Sequence, residues 1–462
     1  MDATLDDVTA IDSVRIDSAP LRIMTAGSVD DGKSTLIGRL MYDLDLITDD
    51  LLSDLKGASK RNGRGDLDLS LFTDGLTAER EQGITIDLAY RYFRYQERNF
   101  ILCDSPGHVQ YTRNMVCGAS QSDVALIMID ARTGPIEQTL RHWRVTQWLR
   151  VPTVIFVVNK LDLVGFSQER FNEIEQQLVK LQKIDGAGLQ VIPVCALDGD
   201  NVVYPSAASD QNQRLAWYQG PTLVQLLLRQ STRNAFDQDA ALRFTVQRVM
   251  RPTGKAIDAT HHDFRALSGR VESGSLHVGQ TIQAVSADTG ALRQSKITSI
   301  HTFDAALDLA SAGMNVSVVL ADDLDITRGD VLASNEHPPA STQNISLQWC
   351  WMSEQPAKIG QRVLFKQGAR SVHANIVAIG ARLNLESGLF EDRDNNEKEN
   401  EQDTEYQSGN SNPSVQLNEI VQIDLQLARP VLADLYAQFP RTGSAILLDP
   451  LKFDTLAAGV YA

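Results

Sequence analysis

A glycine-rich loop that contains a lysine and a serine is the clearest sign of chemistry in the chain. The run Gly27-Ser28-Val29-Asp30-Asp31-Gly32-Lys33-Ser34 fits G-x-x-x-x-G-K-[ST] and directly follows the apolar, strand-like run Leu21–Ala26. Its glycines would let backbone N–H groups approach phosphate oxygens, and a helix from about Lys33 would direct the positive end of its dipole at them. Lys33 is predicted to reach the β- and γ-phosphates, and the Ser34 hydroxyl is predicted to bind Mg²⁺. The loop alone predicts a nucleoside triphosphate site.

A second polar group stands at the end of another apolar run, Phe100–Asp104. The segment Asp104-Ser105-Pro106-Gly107-His108 begins with a carboxylate that can hold the magnesium ion, usually through a water. Gly107 can offer its N–H to the γ-phosphate because no side chain stands in the way. His108 would then lie near the γ-phosphate, where an imidazole can position the attacking water.

The segment Asn159-Lys160-Leu161-Asp162, at the end of the run Thr153–Asn159, predicts which base is bound. The Asp162 carboxylate can accept hydrogen bonds from both N1–H and N2–H of guanine, whereas adenine would leave it unsatisfied. The predicted nucleotide is therefore GTP rather than ATP. Backbone N–H groups of Cys195-Ala196-Leu197 are predicted to contact the guanine carbonyl, which would make the Cys195 side chain unnecessary.

A threonine between the first loop and Asp104 completes the predicted nucleotide site. Thr85 can give its hydroxyl to Mg²⁺ and its N–H to the γ-phosphate, so its loop would be released after hydrolysis. The predicted catalytic residues are thus Lys33, Thr85 and His108, and the predicted metal ligands are Ser34, Thr85 and Asp104. The other predicted nucleotide-binding residues belong to the same segments and are Gly27, Ser28, Val29, Asp30, Asp31, Gly32, Thr35, Ser105, Pro106, Gly107, Asn159, Lys160, Leu161, Asp162, Cys195, Ala196 and Leu197.

These segments need a sheet to bring them together. From Leu21 to about Arg229, continuously apolar runs alternate with longer helical patterns. Such runs are typical of parallel strands covered by helices on both faces, and they predict a doubly wound α/β sheet with phosphate-binding loops at the strand carboxyl ends. From Arg243 onward the segments are short, rich in Val, Ile and Thr and separated by glycine turns. The predicted fold is a P-loop GTPase domain followed by two all-β units, each a barrel or a sandwich.

The predicted domain limits follow these changes in pattern. A polar tail is predicted over residues 1–19, the GTPase domain over 20–235, the second domain over 236–338 and the third over 339–462. Residues 391–414 contain no aliphatic side chain and are dense in Asn, Glu, Asp, Gln and Ser. Because such a segment cannot bury a core, it predicts a disordered acidic insertion in the last barrel.

Composition limits the partners and the compartment. The formal net charge of -16 disfavours a broad phosphate-neutralising surface. The four cysteines, Cys103, Cys117, Cys195 and Cys350, do not have metal-binding spacing and are predicted to be buried, reduced thiols. Neither a signal peptide nor an apolar run of membrane-spanning length is present. We therefore predict a cytoplasmic protein that binds neither nucleic acid nor a membrane.

Several side chains that could do chemistry are better explained by packing. Trp349 and Trp351 alternate around Cys350 and are predicted to pack on one strand face rather than to stack on a base. In a helical stretch, His142 is predicted to lie at the surface and Trp143 in the core.

The nucleotide motifs, in this order and followed by two β units, resemble the translation-factor class of GTPases. The resemblance includes Gly269-Arg270-Val271-Glu272-Ser273-Gly274 in the second domain and Arg441-Thr442-Gly443-Ser444 in the third. It therefore covers nearly the whole chain from about Leu21, and it implies that the two β units are all-β barrel domains. It implies that His108 orients the hydrolytic water.

Within that class the chain is more similar to the GTPase subunits of bacterial sulfate adenylyltransferases. The similarity is carried by Gly27–Leu40, by Asp74–Asp87 continuing into Ala89–Phe93, and by Trp217–Leu223. Elongation factors typically have His in place of Ser28 and lack the Ala89–Phe93 continuation.

The resemblance implies a reaction and a partner. Such a subunit hydrolyses GTP to drive formation of adenosine 5′-phosphosulfate and pyrophosphate from ATP and sulfate, which the complex binds. The adenylyl-transfer site lies on a separate small catalytic subunit, in a heterodimer or a larger assembly. Because the chain ends at Ala462, just after the third domain, no fused adenylylsulfate kinase is expected. The alternative, a tRNA-carrying elongation or selenocysteine factor, is disfavoured by Ser28, by the Ala89–Phe93 run and, slightly, by the acidic charge.

Overall fold

The chain divides into two compact units, Met1–Arg233 and Asn234–Ala462. The structure is a computed structural model that describes residues 19–61, 68–72, 87–108, 112–181, 189–205, 214–232, 240–251, 265–303, 305–392 and 414–462. The first unit is α/β and the second contains two β-barrels, so the predicted fold class is confirmed. Within the ranges described, no helix is both long and apolar enough to cross a membrane.

One six-stranded sheet forms the centre of the first unit. Its strands are β1 (Leu21–Ala26), β2 (Ala89–Tyr95), β3 (Arg98–Asp104), β4 (Val124–Asp130), β5 (Thr153–Asn159) and β6 (Gln190–Pro193). They are ordered β2-β3-β1-β4-β5-β6, and all neighbours are parallel except β2 and β3. The register pairs Thr25 with Asp104 and Asp130 with Asn159, so these polar residues stand together at the carboxyl edge of the sheet.

The helices of the first unit connect these strands. They are α1 (Lys33–Asp43), α2 (Asp49–Arg61), α3 (Thr112–Ser120), α4 (Glu137–Trp148), α5 (Gln168–Leu181) and α6 (Leu223–Arg229), with short 3₁₀ helices at Leu69–Phe72 and Leu161–Val164. Helix α6 begins with a capping box, in which the Gln225 N–H donates to Thr222 Oγ1 at 3.3 Å and the Thr222 N–H donates to Gln225 Oε1 at 3.0 Å.

The apolar runs predict the central strands well. Strands β1, β4 and β5 have the predicted bounds, and all seven residues of β4 are buried. Strand β6 is shorter than the predicted run Leu189–Cys195. The Cys195 N–H donates to the Asp200 carbonyl at 3.1 Å, so the chain turns back at this point instead of continuing in the sheet.

Helix α4 carries a buried histidine, and the prediction that His142 lies at the surface is wrong. His142 is 1% exposed, and its Nε2 lies 2.9 Å from Gln138 Nε2 one turn earlier. Trp143 is buried as predicted and packs edge-on against Phe156 of β5, with ring centroids 5.0 Å apart. The helix is therefore buried on a face wider than its apolar residues alone indicate, which is why the helical pattern misplaces this residue.

Two closed antiparallel barrels form the second unit. The first has β7 (Arg243–Met250), β8 (Ala266–Ser273), β9 (Ser275–His277), β10 (Thr281–Val285), β11 (Leu292–His301), β12 (Ala306–Leu307), β13 (Leu309–Ser311), β14 (Asn315–Leu320) and β15 (Val331–Ala333). The second has β16 (Ala340–Trp351), β17 (Ala357–Lys358), β18 (Arg362–Gln367), β19 (Arg370–Leu383), β20 (Phe390–Glu391), β21 (Ser414–Val415), β22 (Ile420–Ala433), β23 (Ser444–Leu448) and β24 (Thr455–Val460). Pairing of β10 with β11 closes the first barrel, and pairing of β18 with β19 closes the second.

The second barrel has an aromatic core. Trp349 and Trp351 are fully buried, so the prediction that they pack inside is confirmed.

The second barrel is joined to the first barrel by a buried ion pair. Arg243 Nη2 and Nε donate to the carboxylate of Asp434 at 2.8 and 2.9 Å, and both side chains are almost fully buried. The Arg243 guanidinium also lies 4.1 Å from the centre of the Phe439 ring.

Some predictions fall outside the residues that the structure describes. The polar tail over 1–19 overlaps the described chain only at its last residue, and Thr85 lies in the range 73–86, which is not described. Of the predicted insertion 391–414, residues 393–413 are likewise outside. The predicted limits at 235 and 338 stay predictions.

Candidate nucleotide site

The loop between β1 and α1 is closed by a hydrogen bond from its backbone to one of its own side chains. The Ser28 N–H donates to Asp31 Oδ2 at 2.6 Å, and burial raises the pKa of the Asp31 carboxyl, against the opposing effects of this N–H and of Lys33. Gly32, which precedes α1, has a φ of +90°, and a Cβ there would lie 2.4 Å from Asn159 Nδ2. Glycine is needed here on both counts, since the backbone is left-handed and a neighbouring amide abuts it.

Lys33 lies at the mouth of this loop. Its Nζ donates to the carbonyls of Gly27 at 3.1 Å and Ser28 at 2.7 Å. Burial lowers the pKa of the Lys33 ammonium, and the carboxylates of Asp104 and Asp31 oppose that effect. A buried ammonium among carbonyls, at the start of a helix, is the arrangement that a phosphate chain requires.

The segment after β3 packs directly against the loop. The Thr25 hydroxyl donates to Asp104 Oδ1 at 2.8 Å, and the Ser105 hydroxyl donates to the Thr25 carbonyl. A Cβ on Gly107 would lie 2.7 Å from the Gly27 carbonyl oxygen and 2.5 Å from Lys33 Nζ, and because the backbone cannot move aside as a side chain can, only glycine allows this approach. His108 follows Gly107 and is exposed. The predicted magnesium ligand, the γ-phosphate N–H and the phosphate lysine are thus brought together.

Asn159 connects the phosphate loop to the loop after β6. Its Nδ2 donates to the Asp31 carbonyl at 2.9 Å, and its Oδ1 accepts the Ala196 N–H at 3.0 Å. Asn159 is only 2% exposed. The Ala196 N–H is thus donated to Asn159. The Leu197 N–H, next along the chain, donates to none of the described residues.

The Cys195 side chain contacts the carboxylate predicted to bind guanine. Cys195 Sγ lies 3.4 Å from Asp162 Oδ1, within hydrogen-bond distance for a thiol. Burial raises the pKa of the Cys195 thiol to about 12, so it stays protonated and donates. The sequence alone indicated no use for this side chain, and the structure gives it one, which is to orient Asp162.

A carboxylate that the sequence motifs do not identify stands between the loops. Asp130, at the end of β4, accepts hydrogen bonds from Arg132 Nη2 at 2.7 Å and from the Arg132 N–H at 2.9 Å, and it lies 3.1 Å from Lys160 Nζ. Burial raises the pKa of Asp130, but the hydrogen bonds from Arg132 and Lys160 outweigh it and hold the pKa at about 2. Its position at a strand carboxyl end was the available signal. Asp130 therefore fixes Lys160, whose backbone is left-handed with a φ of +61°.

The predicted site residues meet at the carboxyl edge of the sheet, with one exception. Thr85 lies outside the described residues, so the structure does not test its role. Val29, Asp30 and Leu197 are exposed at the rim of the loops, and Ser34 and Thr35 are half-buried at the start of α1. That these residues contact a nucleotide stays a prediction.

Three protein-family models match successive segments of the chain. The family model for the elongation factor Tu GTP binding domain matches residues 19–247, that for elongation factor Tu domain 2 matches 265–333, and a GTP-eEF1A C-terminal domain-like model matches 344–462. Sulfate adenylyltransferase subunit 1 of Citrobacter koseri is 40% identical over 445 residues, which cover 95% of this chain and 86% of that protein. The protein of the same name from Aeromonas hydrophila is 41% identical over 443 residues, 95% of this chain and 85% of that protein.

The chain belongs to the sulfate adenylyltransferase subunit 1 family. This membership, with the GTP binding domain, confirms the predicted GTP ligand and makes the chain a GTPase subunit of an enzyme. The family name implies at least one partner subunit. Among solved structures, the GTPase-like domain of Saccharomyces cerevisiae Ski7, bound to GDP and inorganic phosphate, matches 96% of this chain and 97% of that chain at 17% identity, with a TM-score of 0.49.

Proposed function

We propose that this chain hydrolyses GTP in order to drive the formation of adenosine 5′-phosphosulfate and pyrophosphate from ATP and sulfate. The observation that carries the proposal is the pair of hydrogen bonds by which Asn159 joins the phosphate loop to the loop beside Asp162. The chain that contains this pair is similar to a sulfate adenylyltransferase subunit over 95% of its length. The same relatives do not favour the alternative of a tRNA-carrying factor.

Different groups of the chain bind the phosphates and the base of the nucleotide. Backbone N–H groups of residues 27–34 and the Lys33 ammonium hold the phosphates, because they converge at the start of α1. The Asp162 carboxylate takes the N1–H and N2–H of guanine, and the Leu197 N–H takes the guanine carbonyl. The Cys195 thiol at 3.4 Å keeps Asp162 oriented for this pairing.

The oxygen ligands at the site fit a magnesium ion. Asp104 is 1% exposed, and the Thr25 hydroxyl at 2.8 Å fixes its orientation. Together with the hydroxyls of Ser34 and Thr85, it supplies hard oxygen ligands of the kind that Mg²⁺ prefers. The ion, when bound, would neutralise charge on the β- and γ-phosphates.

Hydrolysis requires a positioned water. The Gly107 N–H donates to a γ-phosphate oxygen, and its close approach to Lys33 places both donors on the same group. His108, exposed directly after Gly107, orients the attacking water. Substituting His108→Ala should lower kcat by about 10²- to 10⁴-fold while leaving GTP affinity within a few-fold of the parent value. An unchanged kcat would remove His108 from the mechanism.

The proposed partner is a small catalytic subunit that carries the adenylyl-transfer site. The pair forms a heterodimer or a larger assembly that binds ATP and sulfate in the cytoplasm, with no nucleic acid and no membrane involved. The chain contributes GTP turnover, and the loop that contains Thr85 is the proposed element of coupling, because a γ-phosphate contact would order it only before hydrolysis.

The test is GTP hydrolysis by the purified chain, alone and with the small subunit, ATP and sulfate. We expect turnover to rise only when the partner and both substrates are present. The chain with His108→Ala, measured in the same assay, is the control for GTP turnover by a contaminant. Equal GTP turnover with and without partner and substrates would contradict energy coupling and would favour a binding switch.

A further inference from the structure

One arginine of α1 holds the turn that follows β6. The Arg39 guanidinium donates from Nε to the Ala196 carbonyl at 3.3 Å and from Nη2 to the Leu197 carbonyl. Its Nη1 donates to Asp43 Oδ1 at 3.3 Å, one turn later on the same helix. The planar guanidinium thus bridges two successive carbonyls with one edge and is anchored through the other, which a lysine could not do.

The turn is built to approach this arginine closely. The Gly199 N–H donates to the Cys195 carbonyl at 2.8 Å, which closes the turn Cys195–Gly199. Gly199 has a φ of +91°, and a Cβ there would lie 3.0 Å from Asp43 Oδ2 and 3.2 Å from Arg39 Cδ. The Arg39 side chain is 17% exposed and that of Asp43 is 11% exposed. The two side chains are therefore packed against the turn, and hydrogen bonds to a charged guanidinium are stronger than those between neutral groups.

Peptide geometry carries the effect of Arg39 to the other side of the turn. The Ala196 carbonyl and the Leu197 N–H belong to one planar trans peptide, so they point in opposite directions. Because Arg39 fixes the Ala196 carbonyl, it also fixes the direction of the Leu197 N–H, away from α1. A cation on the carbonyl further polarises the peptide and makes its N–H a better donor.

This N–H is the donor that the site keeps available for the base. The Ala196 N–H is already donated to Asn159 Oδ1 at 3.0 Å. The Cys195 N–H is donated to the Asp200 carbonyl at 3.1 Å. Of the three amides in Cys195-Ala196-Leu197, only that of Leu197 donates to none of the described residues.

From these contacts we infer that Arg39 is a positioning residue for guanine recognition, acting on the 6-oxo group of guanine through the Leu197 N–H. The inference rests on the proposed GTP site and deepens it. Helix α1 then serves both ends of the nucleotide, since its first turn holds the phosphates through Lys33 and its second holds the base-binding turn through Arg39. Specificity for guanine would be set in part by a side chain that does not touch the base.

The test compares nucleotides that differ at one position of the base. Equilibrium affinities of the full chain would be measured for GTP, for 6-thio-GTP, whose sulfur is a weak acceptor, and for ITP, which keeps the oxygen but lacks the 2-amino group. The variants are Arg39→Ala, Arg39→Lys as the charge-preserving form, and Arg94→Ala as a matched control on the exposed face of β2.

We expect Arg39→Ala to weaken GTP and ITP equally, by about 10-fold, because both retain the 6-oxo group. The loss for 6-thio-GTP should be no more than about 3-fold, since its sulfur gains little from a well-aligned donor. Arg39→Lys should fall between the parent and Arg39→Ala, and Arg94→Ala should match the parent.

Other outcomes overturn the inference in distinguishable ways. Equal losses for all three nucleotides in both Arg39 variants would mean that Arg39 only supports the fold. Unchanged GTP affinity in Arg39→Ala would show that the turn holds itself. Failure of the parent chain to bind GTP at all would instead contradict the proposed function.

Discussion

Removing the Asn159 side chain should weaken the first unit and its nucleotide affinity together. Asn159→Ala deletes two buried hydrogen bonds, one from Nδ2 to the Asp31 carbonyl at 2.9 Å and one to Oδ1 from the Ala196 N–H at 3.0 Å. Each deletion leaves a buried backbone group without its partner, which costs about 1–3 kcal/mol. The expected loss is therefore about 2–6 kcal/mol in the free energy of local unfolding. A water that enters the space would bring the value to the lower end.

GTP affinity should fall in the same variant, because the phosphate loop and the base-binding turn lose their common tie. We expect the dissociation constant to rise by at least about 10-fold, the equivalent of ~1.4 kcal/mol. Asn99→Ala is the matched control, since it removes the same amide from an exposed position of β3 in the same sheet. That change should stay within about 0.5 kcal/mol of the parent.

Amide hydrogen exchange in β1, β4 and β5 is the suitable assay, since a chain of several domains need not unfold in one step. Exchange reports the free energy of opening for these strands, and nucleotide titration of the same samples gives the affinity. A loss below ~1 kcal/mol in the free energy of opening, with GTP affinity within 2-fold of the parent, would refute the argument, because two buried groups without their partners should cost more than this.

Substitutions at four further positions, one of them with a control at a fifth, test other contacts of the chain. Gly107→Ala puts a Cβ 2.7 Å from the Gly27 carbonyl oxygen and 2.5 Å from Lys33 Nζ and should lower GTP affinity at least ~10-fold, whereas Gly57→Ala, with nothing within 4 Å, should not. Cys195→Ser keeps a donor for the Asp162 carboxylate and should preserve GTP affinity, while Cys195→Ala should weaken it a few-fold in the same titration. Burial lowers the pKa of His142 to about 3. Below pH ~6.5 this imidazole therefore binds a proton in the unfolded chain but not in the folded chain. Stability should then fall by up to ~1.4 kcal/mol per pH unit as the pH drops from ~6.5 towards 4, and His142→Gln should flatten that slope in denaturant titrations. Arg243→Ala leaves a buried carboxylate unpaired and should cost about 3–5 kcal/mol in the second unit, by thermal unfolding, and a cost under ~1 kcal/mol would contradict the buried pair.

The sequence predicts the parts of the fold in which local pattern and tertiary position agree. Strands β1, β4 and β5 are mostly apolar and largely buried, so their bounds can be predicted from hydrophobicity. The phosphate loop and the segments after β3 and β5 are predicted for a similar reason, since each motif directly follows such a strand. Helix α1 begins at Lys33, as its motif requires.

Burial of polar residues is much harder to predict, because it depends on neighbours distant in sequence. His142 lies on a helix whose pattern suggests a solvent-facing position, yet packing buries it at 1% exposure. Asp130 has no motif of its own, and its function in fixing Lys160 depends on the pairing of β4 with β5. The side-chain role of Cys195 likewise requires the distance to Asp162, 33 positions earlier in the chain.

Recognition of the base shows why the missing information is geometric rather than compositional. The motif residues supply Asp162 and three backbone amides, and any of these amides could face the guanine carbonyl as far as the sequence is concerned. The structure reduces this choice, because Asn159 takes the Ala196 N–H and Arg39, 157 positions before Ala196, fixes the next peptide plane. Neither contact has a signature in the order of residues, since each depends on two segments that meet only when the sheet has formed. A motif can therefore name the chemistry of this site, while the proposed alignment for guanine depends on contacts between segments, one of them made by Arg39 outside the motifs.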